Sequence, residues 1–185
     1  MTRGSTLPAH RLSPSSGCLA IPAQTRTSPA PLPDGFNTAP AAEAHRTLLA
    51  CLRSLRWARR IADHRPYPTL DALLAASDEA AYDLSPADLA EALAAESLPG
   101  LPADAYGAAH MALDAAHAAY EARFGHAFVI CLDGVPQEES LDHVLEGIRS
   151  RLTNDPEDER VVAAEELRRL ARQRLTQLAR GARGQ

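Results

Sequence analysis

Lysine is absent from this chain of 185 residues, and aromatic residues make up only 4% of it. All 19 of its Lys/Arg cations are therefore arginine. Arginine at every basic position is more than a binding site needs, which favours codon bias as the cause. The formal net charge is −5. No basic stretch is interleaved with aromatic residues, so the sequence predicts no nucleic-acid binding.

Long apolar runs are also absent. No stretch approaches the ~18 residues of a membrane span, and the apolar residues 19–21 are too few for a signal-peptide core. The chain has three cysteines (Cys18, Cys51 and Cys131), an odd number without metal-ligand spacing. Free thiols are typical of reducing compartments. We therefore expect a cytoplasmic protein without membrane contact.

Common catalytic motifs are missing as well. The chain has no glycine-rich phosphate loop, no Cys-x-x-Cys, no His-Glu-x-x-His and no Gly-x-Ser-x-Gly. His110 and His117 are seven residues apart, two turns along one helix face, which does not favour a shared metal ion. Glu165 and Glu166 lie at helical spacing from Arg169, which predicts surface ion pairs. The residues alone identify no function.

Alanine and leucine dominate the chain, and both are strong helix formers. We predict an all-α fold, a single-domain bundle of about six helices over residues 35–181. Residues 1–34 hold six of the 14 prolines, which predicts a disordered tail. The apolar residues 128–132 are predicted to be extended. The predicted helices span 41–63, 69–76, the residues after Ser85, 103–124, 137–152 and 156–180.

From Phe36 onward the chain resembles the 2-oxo-4-hydroxy-4-carboxy-5-ureidoimidazoline decarboxylase family of urate degradation. Several segments match in the family's order, including a Phe-Asn-x-x-Pro opening and a Tyr-Glu-Ala-Arg-Phe-Gly block. The matching positions are 36–37, Pro40, 51–58, 65–67, 120–125, 128–130, 151–155, Glu159, 165–167 and 174–175.

The resemblance implies an all-α, cofactor-free and typically dimeric enzyme without a metal ion. It implies decarboxylation of the ureidoimidazoline to (S)-allantoin and predicts a small-molecule partner and a possible homodimer. It also implies that an arginine, in the family a residue of the last helix, binds substrate. Arg174 is the better candidate, and Arg151 is the weaker because its place near a helix end also has a structural explanation. A loop that contacts the ring would comprise Phe128, Val129, Ile130, Cys131 and Leu132.

The chain departs from the family at the expected catalytic histidine of a His-Pro motif. Glu96 stands at the histidine position and Ser97 at the proline position, and the segment with the family's Glu-Gln pair is missing. Glu96 is the candidate catalytic residue if burial raises its pKa. Otherwise it is a solvent-facing residue at a helix end, and His110 or His117 reaches the site instead. The alternatives to an active decarboxylase are a pseudoenzyme that binds a ligand or partner, and an enzyme acting on another small carboxylic acid.

Overall fold

A computed structural model describes Met1 and residues 34–97 and 107–181 of the chain. These residues form eight α-helices and no strand, which confirms the predicted all-α fold. None of these helices is long and apolar enough to cross a membrane. The predicted tail falls almost entirely outside the described residues, as do residues 103–106 of a predicted helix. The helices are α1 (Asp34–Thr38), α2 (Ala41–Cys51), α3 (Leu55–Asp63), α4 (Leu70–Tyr82), α5 (Pro86–Ala94), α6 (Gly107–Phe124), α7 (Ser140–Arg151) and α8 (Pro156–Gly181).

Local capping signals explain where α4 and α5 begin. The Ser85 hydroxyl accepts a hydrogen bond from the Asp88 N–H, and the Asp88 carboxylate accepts one from the Ser85 N–H. Pro86 fills the first helical position, where no N–H is needed. Thr69 caps α4 by accepting from the Ala72 N–H. The Ser85 cap fixes the start of α5, and Glu96 lies just beyond the end of that helix at Ala94.

The single helix predicted for residues 41–63 is wrong, because the chain breaks between α2 and α3. Leu52 is extended, with φ −147°. The Ser54 side chain accepts from the Trp57 N–H and caps α3. Leu55, the first residue of α3, is 49% exposed. The apolar spacing continues across the break and so conceals it.

Other helix boundaries also differ from those predicted. The short helix predicted for 69–76 continues to Tyr82 in α4. The helix predicted from 137 begins as a 3₁₀ turn (Gln137–Glu139) and becomes α-helical at Ser140. Helix α1 lies across the predicted boundary of the tail.

The buried apolar residues form two clusters. The larger packs α1–α5 against α8 and includes Trp57, which donates its indole N–H to the Ser77 carbonyl. The smaller lies between α6 and α7 and includes Tyr120 and Ile148. Phe128 belongs to the smaller cluster and Val129 to the larger. The segment between α6 and α7 therefore connects both halves of the core.

Candidate active site

The site is built around residues 127–132, which we call the extended loop. Helix α6 ends at Phe124, and Gly125 follows with φ 77°, a left-handed conformation that favours glycine. The Gly125 N–H donates to the Glu121 carbonyl at 2.8 Å. This turn directs the chain away from α6, and residues 127–132 form no helix or strand. Their backbone groups therefore need partners from elsewhere.

Three side chains from three helices supply those partners. The His117 Nε2 atom of α6 accepts from the Phe128 N–H at 3.2 Å. Arg151 of α7 donates to the Val129 carbonyl at 2.6 Å. Glu166 of α8 accepts from the Cys131 N–H at 2.7 Å. The extended loop is thus held by side chains, and His117 serves it structurally.

Arg151 belongs to a buried polar network and does not line the cavity described below. Its Nε and Nη2 atoms donate to Glu159 at 2.8 and 2.5 Å, and Nη2 also donates to the Tyr120 hydroxyl at 3.2 Å. The Tyr120 hydroxyl donates to Glu159. Asn154 donates to the second Glu159 oxygen at 2.8 Å. These contacts give Arg151 a structural role, the alternative that made it the weaker candidate.

The network shifts the pKa values of its members in opposite directions. Burial by itself would raise the pKa of Glu159, but hydrogen bonds from Arg151, Tyr120 and Asn154 outweigh it and hold the pKa below its usual range. Burial, assisted by the hydrogen bond to Glu159, raises the pKa of Tyr120. The network therefore holds one carboxylate, one guanidinium and one neutral phenol at neutral pH.

Glu96 and Arg174 form a bidentate ion pair. The Arg174 Nη1 and Nη2 atoms donate to the two carboxylate oxygens of Glu96, each at 2.8 Å. Nη1 also donates to the Cys51 carbonyl at 2.9 Å. The hydrogen bonds to Glu96 raise the pKa of Arg174. Although Ser97 beside it is exposed, the Glu96 side chain is only 7% exposed, so the solvent-facing alternative for Glu96 is wrong.

This ion pair and the extended loop border one cavity of about 160 Å³. Apolar side chains of the loop and of α8 provide one part of its wall. The ion pair, a hydroxyl and a carboxamide provide the polar part. The lining residues are Glu96, Ser97, Val129, Ile130, Leu132, Leu170, Gln173 and Arg174.

The predicted site residues therefore divide into two groups. Glu96, Val129, Ile130, Leu132 and Arg174 meet at the cavity. Phe128 is fully buried in the smaller cluster. The Cys131 thiol is directed towards Gln173, whose Oε1 atom lies 3.8 Å from it. Strict alternation of an extended segment does not account for this division, because the consecutive residues Val129 and Ile130 both line the cavity.

Sequence reasoning missed the roles that Glu166, Gln173 and His117 have at the site. The predicted ion pair of Glu166 with Arg169 exists at 3.4 Å, but Glu166 also holds the extended loop. Gln173 precedes Arg174, and no sequence signal distinguishes it. The role of His117 depends on a contact across the end of α6. Helical spacing predicts which residues are neighbours on one helix, but it does not predict contacts between a helix and a loop.

Cys51 lies beside Arg174, and burial raises the pKa of its thiol to about 11, against a smaller opposing effect of Arg174. The thiol is therefore neutral near pH 7. Among the described residues, no three His, Cys, Asp or Glu side chains are grouped so that they could hold a metal ion.

Two larger cavities lie elsewhere in the described part of the chain. One of about 270 Å³ lies between α5, residues 123–126 and the start of α8. Another of about 480 Å³ lies between α2 and α5. Neither is lined by the ion pair or the extended loop. Of these three cavities, the one of about 160 Å³ is the one lined by Glu96, Arg174 and the extended loop.

The sequence model of OHCU decarboxylase matches residues 37–105 and 100–176, most of the chain. The chain belongs to the OHCU decarboxylase family. OHCU is the 2-oxo-4-hydroxy-4-carboxy-5-ureidoimidazoline named above. The two matched segments overlap at residues 100–105. None of the curated proteins matches the chain.

Solved structures share the fold of this family member. The crystal structure of (S)-allantoin synthase superimposes with a TM-score of 0.60 and 22% identity, over 77% of this chain and 52% of its own. The crystal structure of OHCU decarboxylase in the presence of (S)-allantoin gives a TM-score of 0.61 and 21% identity, over 71% and 96% respectively. At these identities the likeness shows the fold alone. The chain spans about half the length of the (S)-allantoin synthase structure.

Proposed function

We propose that this protein acts in urate degradation and decarboxylates OHCU to (S)-allantoin. Its family membership supports this proposal, and a relative of the same fold has been crystallised in the presence of (S)-allantoin. The observation that carries it is the meeting of Glu96, Arg174 and the extended loop around one cavity of about 160 Å³. That volume is below the ~300–1,000 Å³ of drug-sized sites, and it suits a single small ring.

In the proposed reaction the bond between the substituted ring carbon and its carboxylate breaks. Carbon dioxide leaves, and the electron pair moves into the adjacent imine of the ring. A proton is then taken up on one face, which sets the S configuration. Val129, Ile130 and Leu132 form the apolar wall against which the ring packs. Arg174 balances the negative charge of the substrate.

Glu96 is the residue available for proton transfer in this scheme. It stands where the family histidine is expected, and its side chain lies at the cavity. Its carboxylate is held by both Nη atoms of Arg174, so it reaches the substrate only after that ion pair opens. A positioned acid–base group contributes about 10²–10⁴-fold to a rate. We therefore expect turnover well below that of members with the histidine.

The alternative function is a catalytically impaired member of the family that binds a ureide ligand without turnover. One observation favours it: the carboxylate at the histidine position is held by the arginine that should bind substrate. The role of His117 as acceptor for the Phe128 N–H also keeps that imidazole in the loop support.

A coupled assay separates the two functions. Urate oxidase and the hydrolase that follows it generate OHCU in situ, and circular dichroism follows the chirality of allantoin. The proposed function predicts (S)-allantoin above the spontaneous racemic background. A trace identical to the blank would refute it and leave the ligand-binding alternative.

A matched pair of variants locates the activity. Arg174→Gln removes the cation of the cavity and should abolish the excess of (S)-allantoin. Arg180→Gln makes the same change at an exposed position of α8 and should leave the rate unchanged. Equal activity of both variants would exclude Arg174 from the site.

A further inference from the structure

Arg174 already holds a carboxylate in the geometry that an anionic ligand would use. The two hydrogen bonds from its Nη atoms to Glu96 are both 2.8 Å. This is the bidentate arrangement that makes arginine selective for carboxylates. The Arg174 side chain is 32% exposed and the Glu96 side chain only 7%. The Glu96 side chain is therefore less accessible to solvent than the Arg174 side chain.

The charges of the cavity wall cancel. Of the described residues that line it, Arg174 is the only cation and Glu96 the only anion. Cys51, whose carbonyl accepts from Arg174, adds no charge near pH 7, since its thiol has a pKa of about 11. Glu166, which accepts from the Cys131 N–H, does not line the cavity and is paired with Arg169 at 3.4 Å. A second carboxylate entering this site meets no unpaired cation.

The remaining polar groups of the wall suit an uncharged amide-rich ring. Gln173 and Ser97 line the cavity, and the Gln173 Oε1 atom is engaged with the Cys131 thiol. A carboxamide has both donors and an acceptor, as have the N–H and C=O groups of a ureide. These groups bind such a ring without competing with the ion pair.

We propose that Glu96 is the residue that determines the charge of the ligand in this cavity. Its carboxylate competes with ligand carboxylates for Arg174, so the cavity binds a neutral ureide ring in preference to a carboxylate-bearing ring of similar size. An anionic substrate binds only after Glu96 has released Arg174. This inference concerns the cavity of the proposed function, but it does not depend on whether the protein decarboxylates OHCU.

Calorimetry with two five-membered ureide rings tests the proposal. Allantoin is neutral, and hydantoin-5-acetate carries a carboxylate on the same ring. A hydrogen bond to a charged group contributes about 1.5–3 kcal/mol, so Glu96→Gln should bind hydantoin-5-acetate at least about tenfold more tightly than the wild type. Its affinity for allantoin should change by less than about threefold, since that ring does not depend on a free cation. Glu91→Gln, an exposed change of the same charge on α5, should behave as the wild type.

Equal affinity of the wild type and Glu96→Gln for hydantoin-5-acetate would overturn the proposal, as would the absence of binding to both. If Glu96→Gln does not fold, a second variant, Glu96→Ala, tests the same proposal. Glu96→Ala leaves space beside Arg174, and added acetate should raise its melting temperature but not that of the wild type. No effect of acetate on either protein would count against the proposal. These readouts measure binding, so they stand apart from the coupled assay, which alone decides turnover.

Discussion

Glu96 and Arg174 are 78 positions apart in the chain and are joined by two parallel hydrogen bonds at the edge of the cavity. The resemblance singles out each residue for a separate reason, one as a replaced histidine and the other as the substrate-binding arginine. Their pairing leaves the described part of the cavity wall with one cation and one anion. The proposed decarboxylation and the proposed ligand choice both depend on that pair.

The buried network around Arg151 gives a first prediction. Arg151→Met leaves the Glu159 carboxylate buried without its cation, and removing one partner of a buried pair costs about 3–5 kcal/mol. We expect a loss of that order in the free energy of unfolding, measured by urea denaturation. Arg149→Met, at an exposed position of α7, is the control and should cost little. Similar losses from both variants would show that the network does not stabilise the fold.

The same network predicts a pH dependence of stability. Glu159 has its pKa lowered from the ordinary 4.5 in the folded protein, so the unfolded chain takes up the proton more readily. The stabilisation is therefore complete above about pH 4.5 and declines as the pH falls towards the folded-state pKa. Denaturant titrations between pH 3 and 7 should show this decline. In Glu159→Gln the slope should be smaller, and an unchanged slope would contradict the assignment.

Gly147 gives a prediction about the support of the extended loop. A Cβ atom at this position of α7 would lie 3.1 Å from Phe128 Cζ and 3.3 Å from Ile130 Cδ1. Alanine gains about 1 kcal/mol over glycine in a helix, but overpacking a core costs about 1–3 kcal/mol. Because Phe128 is fully buried, we expect Gly147→Ala to lower the melting temperature and weaken allantoin binding.

Gly107→Ala is the matched control for that change, since nothing lies within 4 Å of a Cβ atom built there. It should leave the melting temperature unchanged or raise it. A Gly147→Ala variant with an unchanged or higher melting temperature and normal allantoin binding would contradict the prediction. It would show that the extended loop accommodates the methyl group without loss of stability.

Glu166 gives a prediction about loop order. Glu166→Ala removes the acceptor of the Cys131 N–H, a hydrogen bond worth about 0.5–1.5 kcal/mol in net stability. Amide hydrogen exchange at Cys131 should therefore become faster, with little change in the exchange of α8 amides. Glu146→Ala, at an exposed position of α7, should leave the Cys131 rate unaltered. An equal rate in wild type and Glu166→Ala would remove Glu166 from the support of the loop.

Much of the helical structure could be predicted because its causes are local. The Ser-Pro-Ala-Asp signal at residues 85–88 gives the start of α5, and the apolar spacing of 156–180 predicts α8 almost to its bounds. The break between α2 and α3 was missed. The apolar spacing runs through it, and only the Ser54 cap and the burial of Leu52 and Trp57 show that the chain turns there.

The candidate site was predicted only in part, for a physical reason. Local propensity and the resemblance to a family identified Glu96, Arg174 and the extended loop one at a time. Hydrogen bonds that span 78 residues for Glu96 and Arg174, and 35 for Cys131 and Glu166, leave no periodic trace in the sequence. The sequence by itself determined an all-α chain of this family, because helix formation and motif identity depend on neighbouring residues. Only the packing of α5 against α8 decided that Glu96 would pair with Arg174, because that contact exists only when distant helices meet.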